Sequence, residues 1–155
     1  GHRQTNKVKQ IVPFISLIHS IDSPHLLDEV ERCAARCGRT VDCLLQLHIA
    51  EEETKFGFSP DECRDYLASG AWRALSHVRL RGVMGMATLT DDENTVRKEF
   101  ESLHRFFGEI KASYFADDEK FSEISMGMSH DYPLAVQAGS TMVRVGSKIF
   151  GDRVY

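Results

Sequence analysis

Long apolar runs are missing from this sequence. No stretch approaches the ~20 residues that a bilayer-spanning helix needs, and no basic start followed by an apolar stretch and a small-residue cleavage site marks an export leader. A cytoplasmic protein with no membrane partner is the expectation. Excess positive charge is missing too: 19 Lys and Arg are outnumbered by 23 Asp and Glu, giving a net charge of −4 and a pI near 6.0, with the basic residues scattered among acids. Nucleic acid and anionic lipid both call for a basic stripe, so neither is an expected partner. Only four cysteines occur, Cys33, Cys37, Cys43 and Cys63, all in apolar patterns that suit small reduced hydrophobes better than a disulfide framework. Cys33 and Cys37 stand one helical turn apart with Cys43 close by. A structural zinc site, however, closes with four ligands in short paired spacings, and the fourth is not evident, so no metal is expected. Low-complexity tracts and interdomain linkers are also lacking, and Glu51-Glu52-Glu53 reads as a solvated loop.

What is present is ordinary globular material of one domain's length: 155 residues, 42% hydrophobic and 27% charged. Apolar patterns of two periods alternate along it, the signature of β/α units around a parallel sheet. Residues 15–20 read as a short strand ending at Asp22-Ser23-Pro24, where Ser23 suits an N-cap and Pro24 the first helical turn. Leu26, Leu27, Val30, Cys33, Ala34 and Cys37 then share one helix face, and Gly38 stops the helix. Residues 41–49 are nearly continuously apolar, as a strand buried on both faces is. Ser59, Pro60 and Glu62 form a capping-box start ahead of Cys63, Tyr66 and Leu67, with Gly70 as the stop. Residues 80–84 make the next strand. Thr90 and Glu93 read as a second capping box, opening a long helix whose inner face is Val96, Phe100, Leu103, Phe107 and Ile110. A strand over 123–126, a short helix over 132–138, a last strand over 142–145 and a short helix near 148–150 complete five β/α units. A closed (β/α)8 barrel usually takes ~250 residues, so eight units do not fit. The chain opens at Gly1-His2 without a methionine and runs at once into polar residues, which reads as a chain cut mid-domain.

In barrels of this class the loops after the strands carry function, and a phosphate is frequently held by those after the last two strands. Here these loops are Met126-Gly127-Met128-Ser129-His130-Asp131 and Gly146-Ser147-Lys148-Ile149-Phe150-Gly151. Glycines let backbone N–H groups approach a phosphate, serine hydroxyls add donors, and a helix start favours the negative charge. The same residues would also serve as plain strand-to-helix turns. Arg144 stands within an apolar strand, where an unpaired guanidinium is costly, so it needs a partner either in a site or in a structural salt bridge. His19 and His48 lie at or near strand ends without a nucleophile or carboxylate motif beside them, and they read as packed or hydrogen-bonded residues.

At these positions the sequence resembles the C-terminal signature of the YggS-like pyridoxal-phosphate homeostasis family. The resemblance is carried by Ser125-Met126-Gly127-Met128-Ser129-His130-Asp131 and by Gly139-Ser140-Thr141-Met142-Val143-Arg144-Val145-Gly146-Ser147-Lys148-Ile149-Phe150-Gly151. Asn6-Lys7-Val8-Lys9, Ile18-His19-Ser20-Ile21-Asp22 and Glu53-Thr54-Lys55-Phe56-Gly57-Phe58 match earlier motifs in order. It implies that residues 1–155 are a single partial domain, the C-terminal five β/α units of a TIM-type (β/α)8 barrel similar to the barrel domain of alanine racemase, with the N-terminal strands absent. It further implies non-catalytic binding and buffering of pyridoxal 5′-phosphate, with apo forms of enzymes that use this cofactor as recipients. By position, Arg144 would face the pyridine nitrogen, Ser129, Gly146 and Ser147 would hold the phosphate, and Asn6 and Met84 would lie near the ring.

Two departures qualify the match. Arg3 stands where the family usually has an apolar residue, and the family's Schiff-base lysine belongs to a first strand that this sequence does not contain. Lys55 is the nearest substitute on a strand-following loop, yet beside Glu51 to Glu53 it reads more simply as a solvated or acid-paired lysine. The rival from another class is a racemase- or decarboxylase-like enzyme acting on amino acids, which would need a substrate-facing acid or base and a further domain or subunit to close the site. A set of five strands would also leave two sheet edges open, with apolar residues of the Leu17 and Val143 strands exposed, so self-association is expected.

Overall fold

In the computed structural model, which describes residues 8–51 and 56–144, a helical stretch at 8–11 is followed by five strands alternating with four helices. In chain order they are β1 (Leu17–Ile21), α1 (Pro24–Cys37), β2 (Val41–Gln46), α2 (Pro60–Ser69), β3 (Val78–Gly85), α3 (Glu93–Tyr114), β4 (Glu123–Met128), α4 (Tyr132–Gln137) and β5 (Met142–Arg144). A 3-10 turn at Ala71–Ala74, not foreseen from the sequence, follows α2. The strands form one parallel sheet in sequential order, so every crossover joins nearest neighbours.

Local chemistry explains most boundaries. The Ser23 hydroxyl accepts the Leu26 N–H at 3.1 Å, Pro24 occupies the first turn, and Gly38 closes α1 in the left-handed region at φ 66°, donating its N–H to Ala34 and Ala35 carbonyls. The Ser59–Glu62 capping box is present in both directions, at 3.1 and 2.8 Å. The second box, expected at Thr90 and Glu93, is not the one the chain uses. Asp92 caps α3, its carboxylate accepting the Asn94 N–H at 3.0 Å and the Thr95 hydroxyl at 2.9 Å, while Thr90 Oγ1 accepts the Asp92 N–H. A carboxylate at a helix start also meets the positive end of the dipole, an advantage that threonine lacks.

The helices share one contiguous core with Val41, Cys43, Leu45, Leu47, Val83, Ile124 and Met126 of the sheet. On α3 Phe100 is buried as expected, and so is Phe106, whereas Phe107 is half-buried and stacks on Phe121 at 5.3 Å; Phe106 and Phe107 flank the stripe, and the fold turns the first inward. Phe115 stacks on Phe121 in turn at 3.8 Å. Cys37, expected on the inner face of α1, is exposed, because it is the last helical residue and lies beyond the edge of the packed stripe. β2 ends three residues earlier than its apolar run. Leu47 bridges to Phe58, and His48 donates its N–H to the Phe58 carbonyl, so the run leaves the sheet to pair with the start of the next unit. Leu17 and Val143 are half-buried rather than exposed. Val145 and the helix expected near 148–150 lie outside the described residues.

Alternation along the strands leaves a second set of side chains on the face away from this core. Leu44, Gln46, Met84, Ser125 and Arg144 are all buried, yet none joins the helix-side cluster. At the N-terminal ends of the strands Asp42 is held by Arg79 at 3.0 Å and by Arg81 at 2.8 Å, an ion-pair clamp across β2 and β3. Towards the C-terminal ends lies the arginine considered next.

Candidate functional site

Arg144 is 5% exposed at the end of β5. Strand register aligns Gln46, Met84, Ser125 and Met142 in one row across β2 to β5. The arginine's guanidinium reaches back over that row. Its Nη1 donates to Ser125 Oγ at 2.9 Å and to the Ser125 carbonyl at 3.4 Å, and its Nη2 donates to the Gly85 carbonyl at 3.4 Å. Neutral oxygens of two neighbouring strands thus supply partners of the kind the sequence called for. Such oxygens orient a cation.

Ser125 has a second partner. His19 on β1 places Nδ1 3.2 Å from Ser125 Oγ, joining residues 106 positions apart. Burial, and secondarily the positive charge of Arg144, hold the imidazole down at about 4, so it is neutral at neutral pH. The expectation of a hydrogen-bonded histidine is met at this position, but the sequence held no sign that a β1 residue would meet a β4 residue. Ser125 itself was quoted only as part of a motif. The available signal was a serine on the alternate face of the apolar run Ile124-Ser125-Met126.

The histidine gives stability a pH dependence whose sign follows from linkage. The unfolded chain takes up a proton on His19 near 6.5, whereas the folded chain resists it down to about 4. Between those values the unfolded state binds more protons, so stability is complete above pH 7 and falls as the pH drops towards 4. The expected loss is on the order of 2 kcal/mol, reduced from the full linkage value because the ring keeps some contact with water. Urea unfolding at pH 7 and pH 4.5, with His19→Asn as the non-titrating comparison, measures it. Equal losses in both proteins would show that His19 is not the group responsible.

The remaining candidates are divided by the structure. Met84 is buried in the row, between Gln46 and Ser125. Ser129 lies in the turn after β4, at the C-terminal end of the strand, and is exposed. That turn is fixed by Asp131, which is buried and accepts the Met128 N–H at 2.7 Å. Asn6, Gly146 and Ser147 lie outside the described residues, as do Arg3 and Lys55, so the convergence of the two turns is not on view. Beside the row, at the C-terminal ends of β2 and β3, a cleft of about 330 Å³ is lined by Gln46, His48, Ile49, Phe56, Met86 and Leu89, among others. Cys43 and Cys63 are buried thiols, the latter pushed up to about 12 by burial, and among the described residues no three metal-ligating side chains gather. No helix among the described residues is long and apolar enough to cross a membrane.

Comparison with known proteins places this arrangement. Residues 2–154 match the family model described as "Alanine racemase, N-terminal domain". A relative from Aquifex aeolicus, named pyridoxal phosphate homeostasis protein, is 33% identical over 155 residues, covering 100% of this chain and 66% of its own. The solved structure of PipY from Synechococcus elongatus, with PLP bound, superposes with a TM-score of 0.80 at 32% identity, covering 95% of this chain and 66% of that one. Alanine racemase of Clostridium difficile aligns with a TM-score of 0.64 at 14% identity, covering 97% of this chain and 38% of its own, a likeness of fold alone. The architecture is therefore a parallel α/β half-barrel of five strands, and the chain spans 66% of the length of the Aquifex relative.

Proposed function

This chain belongs to the pyridoxal phosphate homeostasis protein family, built on the alanine racemase N-terminal domain, and from that premise we propose that it binds pyridoxal 5′-phosphate at the C-terminal ends of its strands and holds or passes on the cofactor without using it in catalysis. The observation that carries the reading is Arg144, a buried guanidinium held by Ser125 and Gly85. The donor set fits the cofactor. A flat heteroaromatic ring with one acceptor nitrogen needs a fixed donor in its plane and apolar neighbours, which Arg144 and Met84 supply. The turn at Ser129, together with Gly146 and Ser147, is assigned to the phosphate, and Asn6 to the ring's surroundings.

A permanent charge facing the pyridine nitrogen keeps that nitrogen unprotonated, and this weakens the ring as an electron sink, the chemistry the cofactor supplies when bound. Such a site suits storage. Proton transfer at neutral pH would need a group that titrates there, and His19, the histidine bonded to Ser125, is held near 4. On this reading residues 1–155 are one partial domain, the C-terminal five units of a (β/α)8 barrel, and apo enzymes are the recipients of the cofactor. Support comes from the sequential parallel sheet and from the share of the relatives that the chain spans.

Titrating the chain with pyridoxal phosphate, followed by absorbance, tests the proposal. Reversible binding weakened by inorganic phosphate is expected, and borohydride treatment should leave no stoichiometric adduct on any single lysine, because the lysines described, Lys9, Lys98, Lys111 and Lys120, include none of the residues grouped around Met84, Ser125 and Arg144. Absence of binding at millimolar cofactor would overturn the reading. A single modified lysine, Lys55 included, would show that the covalent group is supplied from within this chain.

A further inference from the structure

Hydrogen-bond donors and acceptors meet at Ser125 Oγ, between Arg144 and His19. Arg144 Nη1 carries only hydrogens, so Ser125 Oγ must accept from it. The single hydroxyl hydrogen of Ser125 is then free to point at its remaining partner, His19 Nδ1. When the hydroxyl donates there, Nδ1 is the acceptor and the imidazole proton sits on Nε2; in the other tautomer Nδ1–H would donate to the second lone pair of Ser125 Oγ, and the nitrogen-15 test below separates the two. Three strands contribute one group each, β5 the donor, β4 the bridge and β1 the terminal acceptor. A protonated imidazole would present a donor to Ser125 Oγ and set a second positive charge beside the guanidinium.

We propose that His19 and Ser125 form a positioning relay that fixes the direction of the Arg144 guanidinium, His19 acting as a neutral acceptor of the Ser125 hydroxyl hydrogen. The relay rests on the reading of Arg144 as the group that faces the cofactor's ring nitrogen, and adds to it the residues that aim the arginine. Without the terminal acceptor the serine hydroxyl is free to rotate. Of the three bonds to β3 and β4, the one to the hydroxyl is the shortest, 2.9 Å against 3.4 Å for the two carbonyls, so losing the bridge removes the best-formed of them.

Four variants of the full chain test it: Ser125→Ala, His19→Leu, His19→Asn and Arg144→Gln. Asparagine places its carbonyl oxygen where the imidazole carries Nδ1, so it preserves the acceptor. Cofactor titration should show about tenfold weaker binding for Ser125→Ala and His19→Leu, the cost of one lost charge-assisted bond, and near-normal binding for His19→Asn. Nitrogen-15 spectra of the histidines should show His19 unprotonated at Nδ1 at pH 7. The Arg144 side-chain N–H signals should be sharp in the parent chain and in His19→Asn, and broadened in the other two.

Equal weakening by His19→Asn and His19→Leu would overturn the relay in favour of simple packing, as would a proton on Nδ1. If Arg144→Gln weakens binding while Ser125→Ala and His19→Leu do not, the relay falls and the cofactor reading stands. If Arg144→Gln binds normally, the cofactor reading of Arg144 falls instead, and the nitrogen-15 signals alone decide whether the relay exists.

Discussion

Replacing Arg144 with leucine is expected to raise the dissociation constant for pyridoxal phosphate at least about tenfold while leaving the unfolding midpoint within about 3 °C. The two halves of this result come from opposite sides of one energy balance. Taking a guanidinium out of water costs several kcal/mol, and exchanging a buried charge for an apolar side chain of similar volume is often neutral or stabilising. Arg144 is 5% exposed, with a hydroxyl and two carbonyl oxygens among its partners, so leucine removes a desolvated cation together with bonds that offset it. Stability is thus a poor reason for an arginine here, and recognition of a ligand atom is a good one. Isothermal titration and differential scanning calorimetry on the same preparations separate the effects. A variant that unfolds far earlier, but binds the cofactor normally when folded, would make Arg144 a structural residue and remove the main support for the proposed site.

The elements were legible wherever a boundary is decided by neighbours in sequence. Ser23-Pro24, Ser59-Pro60 with Glu62, Gly38 and Gly70 all act within one turn of themselves, and each forms the cap that its spacing announces. Legibility failed where two local solutions compete or where an element meets its edge. Thr90 and Asp92 both suit a cap, and the choice went to the carboxylate. Cys37 keeps the helical spacing of its stripe but lies where α1 has already passed the core. The site divides along the same line. Arg144 announced itself through the cost of a charge in an apolar strand. His19 and Ser125 did not, because their meeting depends on how four strands curve past one another, and no pattern within β1 or β4 encodes that distance.

Gly82 is the strongest case of a residue whose role appears only in the assembled sheet, and its replacement by alanine should cost on the order of 3 kcal/mol or more. In β3 the register against β2 passes from Cys43–Leu80 directly to Leu44–Gly82, leaving Arg81 as the extra residue of a bulge, and Gly82 then opens the pairing with β4 opposite Glu123. A Cβ on Gly82 would stand 1.8 Å from the Glu123 carbonyl oxygen and 2.6 Å from its carbon, atoms of backbone that cannot swing aside as a side chain can. Accommodating a methyl group therefore means parting β3 from β4 at the point where their ladder begins. Met84 and Ser125 pair two residues further along that ladder, so the displacement runs into the row that the Arg144 guanidinium is bonded to. Guanidinium unfolding of Gly82→Ala should show a lower midpoint at similar slope, and cofactor binding should weaken even where the protein stays folded. Stability within about 1 kcal/mol of the parent would show that the two strands can separate cheaply, and that the bulge does not hold the row in register.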